Sequence, residues 1–106
     1  MNDPEVDVEQ LAAACAAGAV VIDVRQPEEY VAGHVAGAQL IPLADVVARL
    51  DEVPADRPVY IICQSGVRSL KAAQFLRASG YDATSVAGGT QAWIDSGRQV
   101  VRGPRP

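Results

Sequence analysis

The 106-residue chain is predicted to fold as an open α/β domain, a parallel β-sheet of about five strands with helices on both faces. Three observations predict it. Short β-branched runs alternate with segments of helical periodicity along the whole chain. Hydrophobic residues make up 49% of the sequence, enough for a core without help from disulfides or metal. Aromatic residues are only 5%, so alanine and valine carry the apolar content, which suits small helices packed on β-branched strands. The organisation expected is one domain over residues 1–106, with its core at about 6–101 and a loose tail at 102–106.

In order, Val8, Leu11, Ala12 and Cys15 have the spacing of an amphipathic helix over residues 8–17, ended by Gly18. Val20-Val21-Ile22-Asp23-Val24 is a continuous run, the mark of a strand buried on both faces. Pro27, with Glu28 and Glu29 behind it, starts a short helix, because proline fits the first turn and carboxylates suit its positive end. Ala38 to Ile41 reads as a strand stopped by Pro42, and Leu43, Val46, Val47 and Leu50 repeat the helical stripe. After a proline-punctuated link, Val59-Tyr60-Ile61-Ile62 is the strongest strand signal in the chain. Ser69 to Ser79 reads as a helix with Leu70, Ala73 and Leu76 inward, Ala83 to Ala87 as a strand, and Gln91 to Ser96 as a last helix. From Arg98 onward, the tail with Pro104 and Pro106 is expected to be loose.

A net charge of −4 argues against nucleic acid as a partner, since an acidic surface repels phosphate backbones. No run approaches transmembrane length, and the acidic N-terminus lacks the basic and apolar regions of a secretory signal. A cytoplasmic, reduced protein with no membrane association is therefore expected. The two cysteines, Cys15 and Cys63, are far apart and form no C-x-x-C pair. With a single histidine beside them they make no metal site.

In sheets of this kind the binding crevice lies at the carboxyl ends of the strands. Cys63 falls there, immediately after Ile62, and Gln64, Ser65, Gly66, Val67, Arg68 and Ser69 lead from it into a helix. A loop entering a helix N-terminus points several backbone N–H groups at one place, and Gly66 lets it curl tightly. With Arg68 at the rim, the segment reads as an anion cradle around a thiol. Such a setting stabilises the thiolate, the reactive form of cysteine, without a general base.

The loop Cys63-Gln64-Ser65-Gly66-Val67-Arg68-Ser69 resembles the C-x-x-G-x-R-S active loop of rhodanese domains. Three further stretches agree in order and spacing: Asp23-Val24-Arg25 with Glu28, Glu29 and Tyr30; Gly33-His34-Val35-Ala36-Gly37-Ala38; and Gly88-Gly89 with Ala92-Trp93. The resemblance runs from about residue 6 to residue 101 and implies a sulfurtransferase of the thiosulfate sulfurtransferase type. Cys63 would be the catalytic nucleophile, taking a sulfur from a donor such as thiosulfate and carrying it as a persulfide. The loop residues Gln64 to Ser69 would bind substrate, and a thiol, cyanide or protein would accept the sulfur. No metal or organic cofactor is implied, and the oligomeric state is left open.

Arg68 is the one cation inside the loop, so a dianionic donor such as thiosulfate is expected to bind weakly, and a neutral or thiol-derived persulfide donor stays open beside it. Cys15 lies on the apolar stripe of its helix and reads as core filling. His34 reads as a structural hydrogen-bonding residue. Arg25 is expected to pair with a carboxylate such as Glu28, and Trp93 with Ile94 to pack inward. Among other functions, a phosphatase or arsenate reductase needs a C-x5-R loop, whereas only four residues separate Cys63 from Arg68. A cysteine hydrolase lacks a base with an orienting partner. A persulfide carrier, or a non-catalytic interaction module on the same fold, is the remaining alternative.

Overall fold

The computed structural model describes residues 4–106. Five strands, β1 (Glu5–Val6), β2 (Val20–Asp23), β3 (Gln39–Leu40), β4 (Val59–Ile62) and β5 (Ala83–Val86), form one sheet in the order β1-β5-β4-β2-β3. Every pairing is parallel. Four α-helices accompany them: α1 (Val8–Ala16), α2 (Pro27–Ala32), α3 (Val67–Ala78) and α4 (Gly89–Asp95). The sequence prediction of a five-stranded parallel sheet with helices on both faces holds. Its two edges, β1 and β3, are only two residues long, and the sequence reading missed β1 for that reason.

The apolar side chains divide into two layers, one on each face of the sheet. On one face Ile22, Ile61, Val59 and Ala83 meet Ala72, Ala73 and Leu76 of α3. On the other, Val21, Ile62 and Val86 meet Leu11 of α1, Tyr30 of α2 and Trp93 of α4. β4 is paired on both sides and contributes to both layers, which is why its sequence is apolar without alternation. Ile61 and Ile62 are fully buried, and burial of each side chain contributes about 1.5–3 kcal/mol.

The strand order fixes where a site can form. From β2 the chain moves outward through α2 to β3, and from β4 it moves the other way through α3 to β5. The connections diverge between β2 and β4, so the loops after these two strands face each other across the crevice. Cys63 and Arg25 sit on these loops.

Two expectations are corrected. The stripe Leu43, Val46, Val47 and Leu50 does not make an α-helix. It forms two 3₁₀ turns, Leu43–Asp45 and Leu50–Glu52, between Pro42 and Pro54. Hydrogen bonds of the i→i+3 kind (Val46 N to Leu43 O, Val53 N to Leu50 O) rise faster than an α-helix and let both Val46 and Val53 reach the core. Val47, which the stripe placed inward, is 65% exposed.

The tail is the second correction. Val101 bridges His34 in antiparallel fashion, Gly103 N–H bonds to Val31 O, and Trp93 Nε1 donates to Gln99 O at 3.0 Å. His34 lies 3.6 Å from Tyr30 in a parallel ring stack, with Nδ1 2.8 Å from Tyr30 O and Nε2 2.7 Å from Arg105 O. The histidine thus ties the tail to α2, and its motif Gly33-His34-Val35 serves the fold. Trp93 packs inward as expected, whereas Ile94 is 44% exposed because the short α4 turns it toward solvent.

Candidate active site

The curled loop begins where β4 ends. Gly66, at φ +105°, turns the chain into α3, which starts at Val67, two residues earlier than predicted. A side chain on Gly66 would come within 3.2 Å of the Gly88 amide and 3.5 Å of Val86 O, so the loop lies directly on the end of β5. From below, α4 holds it: Thr90 N–H donates to Cys63 O at 2.8 Å and Gln91 N–H to Gln64 O at 3.1 Å. Gly89 makes this approach feasible, since a Cβ there would stand 2.5 Å from Cys63 O. Thr90 also carries a buried hydroxyl with no hydrogen-bond partner among the described residues.

Cys63 is 1% exposed and not in a disulfide. Its Sγ accepts from Gly66 N–H at 3.1 Å and lies 3.4 Å from Ser69 Oγ, which in turn lies 2.8 Å from Ser85 Oγ on β5. Ser69 and Ser85 are both fully buried. A thiolate can only accept hydrogen bonds, so with Cys63 ionised Ser69 O–H donates to sulfur and Ser85 O–H to Ser69. Burial opposes ionisation, but the Ser69 hydroxyl and the backbone N–H groups of Ser69, Gly66 and Ser65 outweigh it, and the thiol is more acidic than an ordinary cysteine. The loop amides and the buried Ser69 hydroxyl both contribute to this acidity, and the Cys63 anion in turn favours the charged form of Arg68. Cys15, by contrast, is half-buried on α1 and pushed up by burial.

This gives a direct check. Ser69→Ala is expected to move the pH midpoint of Cys63 alkylation upward, because the mutant loses the donor that favours the anion. Ser85→Ala should move it the same way by less. The midpoint of rate against pH reports acidity even if the enclosed thiol reacts slowly.

Arg68 stands at the loop as predicted, but its guanidinium is occupied. Nη1 donates to Glu29 Oε1 at 2.7 Å and Nη2 to Glu29 Oε2 at 2.9 Å, a bidentate pair about one-third exposed. Arg25 does not pair with Glu28, which is exposed. Its guanidinium is buried against Asp23, with Nη2 2.8 Å from Oδ2 and Nε 3.0 Å from Oδ1. Asp23 is the nearer partner because it ends β2 two residues before Arg25 and also accepts the Arg25 N–H. The same guanidinium donates to Gly33 O at 2.8 Å and to Gln64 Oε1 at 3.0 Å. Gln64 completes the span by donating to Gln91 Oε1 at 3.2 Å. Arg25 therefore reaches the crevice through Gln64.

The loop has a hollow on each side. One, of about 290 Å³, is lined by Arg25, Glu29, Gly33, Gln64 and Ile94. The other, of about 470 Å³, is lined by Ser65, Gly66, Val67, Leu70 and Lys71, among others. Val67 is 65% exposed on its rim, and Leu70, expected inward, is only half-buried there. Sequence reasoning missed three contributors: Glu29 as the partner of Arg68, Ser85, and the amides of α4. A serine facing inward on a buried strand was the one signal available for Ser85.

The chain as a whole has known counterparts. Residues 7–96 match the model of the rhodanese-like domain, and the chain belongs to that family. A "Sulfurtransferase" of Allochromatium vinosum is 34% identical over 100 residues, covering 92% of this chain and 94% of the relative. The "Thiosulfate sulfurtransferase GlpE" of Pseudomonas entomophila is 35% identical over 89 residues, 83% and 82% of the two chains. The "Uncharacterized protein YqhL" of Bacillus subtilis is 45% identical over 76 residues, and these span 71% of this chain but only 60% of that relative. Among solved structures, a rhodanese-related protein from Thermoplasma volcanium superposes with a TM-score of 0.87 at 32% identity, covering 92% of this chain and 97% of its own. Sulfurtransferase chemistry is thus the activity the relatives' names support. Among the described residues no helix is long and apolar enough to cross a membrane.

Proposed function

We propose that this protein is a sulfurtransferase in which Cys63 is the nucleophile and carries a sulfane sulfur as a persulfide. One observation supports the reading above others: a buried, acidified thiol at the carboxyl end of β4, facing the Gly66 N–H and the Ser69 hydroxyl. The thiolate attacks the outer sulfur of the donor, and the donor's sulfur–sulfur bond breaks with its electron pair on the leaving group. Thiosulfate would release sulfite, and an organic persulfide would release a thiolate. The terminal sulfur of the Cys63 persulfide then carries the negative charge, which loop amides from Gln64 to Ser69 stabilise as fixed donors stabilise an oxyanion. Attack by an acceptor thiolate, cyanide or a protein thiol on that sulfur regenerates the Cys63 thiolate, with no net oxidation.

Of the two donors, the persulfide fits this site better. Both arginines at the crevice are engaged by carboxylates, Arg68 by Glu29 and Arg25 by Asp23. A dianion held mainly by charge-assisted hydrogen bonds therefore meets no unengaged guanidinium there. The chain acts as one domain in a reducing cytoplasm and needs no cofactor for this cycle.

Intact-mass measurement after incubation with glutathione persulfide or thiosulfate tests the reading. The parent protein is expected to gain the mass of one sulfur atom, reversed by added thiol, and Cys63→Ser to gain none. A parent protein that takes up no sulfur from either donor, or a Cys63→Ser variant that still does, overturns it. Rapid release to cyanide marks an enzyme, and slow stoichiometric release marks a carrier.

A further inference from the structure

Glu29 holds Arg68 from a fixed position. It occupies the third residue of α2, where Oε1 also accepts the Gln26 N–H at 3.0 Å as part of the helix cap. Its two oxygens then take the two ends of the Arg68 guanidinium. A carboxylate anchored by its own helix does not swing aside as a free surface side chain does. It also lines the 290 Å³ hollow beside Gln64, on the face of the loop that carries Arg25. An anion in this hollow can pair with Arg68 only where Glu29 already does.

We propose that Glu29 is a specificity-determining residue, a latch on Arg68 that disfavours compact dianionic sulfur donors and leaves the site to donors that are singly charged or neutral at the reacting end, such as organic persulfides. This rests on the sulfurtransferase reading above and extends it to the choice of donor. The latch works by competition. Thiosulfate can use Arg68 only by displacing Glu29 from a bidentate pair. An organic persulfide carries at most one charge at its reacting end, and in glutathione persulfide the charged groups of the stem lie several bonds from the sulfur, so it loses less. The Arg68 guanidinium beside Glu29 holds that carboxyl down to about 2, so the latch stays ionised throughout the working pH range and is not opened by acid. Glu29 is a positioning residue for Arg68 and touches no reacting atom.

The test is Glu29→Gln, which keeps an acceptor for the helix cap and removes the charge that engages Arg68. Steady-state rates with thiosulfate and with glutathione persulfide are compared in parent and variant. The ratio of kcat/KM for thiosulfate to that for the persulfide is expected to rise about tenfold, corresponding to about 1.4 kcal/mol. The change should lie mainly in KM for thiosulfate. A second pair of variants closes the cycle. Arg68→Ala alone should change the ratio less than about twofold, whereas Arg68→Ala added to Glu29→Gln should abolish the gain, the non-additivity expected of contacting residues. A ratio that stays fixed in Glu29→Gln, or a gain that survives loss of Arg68, overturns the latch. If the parent transfers no sulfur from either donor, the sulfurtransferase reading fails instead. Thermal unfolding of each variant separates a shifted ratio from a damaged fold, and should Glu29→Gln not fold, the single Arg68→Ala variant decides alone, a large loss with thiosulfate counting against the latch.

Discussion

Replacing Asp23 with alanine is expected to destabilise the protein by about 3–5 kcal/mol, the usual result of leaving a buried charge without its partner. Asp23 is fully buried and Arg25 is 2% exposed. Asp23 also accepts the Arg25 amide, so its loss strands one charged group and one backbone donor together. Since a domain of this size has about 5–15 kcal/mol in total, the variant should sit close to its unfolding threshold. Urea denaturation followed by circular dichroism checks it, with a lower midpoint and an unchanged slope as the expected result. Replacing both residues, as Asp23→Leu with Arg25→Met, should recover a large part of the loss, because no charge is then stranded. The double variant still lacks the Arg25 contact to Gln64 Oε1, so it separates stability from the setting of the loop. A single Asp23→Ala variant as stable as the parent would show that water or another group reaches Arg25.

Gly89→Ala is expected to disable the loop while leaving most of the sheet intact. The added methyl would stand 2.5 Å from Cys63 O and 2.7 Å from Gln64 C and O, backbone atoms with no freedom to give way. The residue is also at φ +59°, a region costing a non-glycine residue roughly 1–2 kcal/mol. Relief requires α4 to move off the loop, which breaks the Thr90–Cys63 and Gln91–Gln64 hydrogen bonds. A displacement of this order at a reacting group costs roughly a hundredfold in rate. Sulfur-transfer kinetics should therefore collapse, and the Thr90 and Gln91 amides should lose protection in hydrogen exchange. Gly97→Ala is the control. It has a similar backbone angle of +85° and nothing within 4 Å of the new carbon, so it should cost stability alone. Equal losses of activity in the two variants would sink the steric account.

The alternation of strand and helix was readable because β2 and β4 lie inside the sheet, where burial on both faces imposes unbroken apolar runs such as Val59-Tyr60-Ile61-Ile62. The position of Cys63 in the crevice was readable for a related reason, since it follows directly on the central strand at a point of diverging connections, where such sheets form their binding crevice. β1 escaped because a two-residue edge strand carries no periodicity. Residues 43–52 misled because a stripe spaced at three and four fits a helix, and nothing local says that Val46 and Val53 must reach the core through tighter turns. Pairings were the least legible part. Arg68 and Glu29 are 39 residues apart, as are Arg25 and Gln64, and no local pattern couples positions at that distance. The tail failed likewise, its order depending on a histidine 71 residues upstream of Arg105.

The brevity of β1 and β3 bears on what happens when many copies of the molecule are crowded together. Two residues at each border expose very few open amides and carbonyls, too few for a neighbouring sheet to dock and grow upon. Intact molecules consequently make poor seeds for one another. Clumping has to begin from chains that have first come apart, so the height of the barrier to opening governs how long a concentrated solution stays clear.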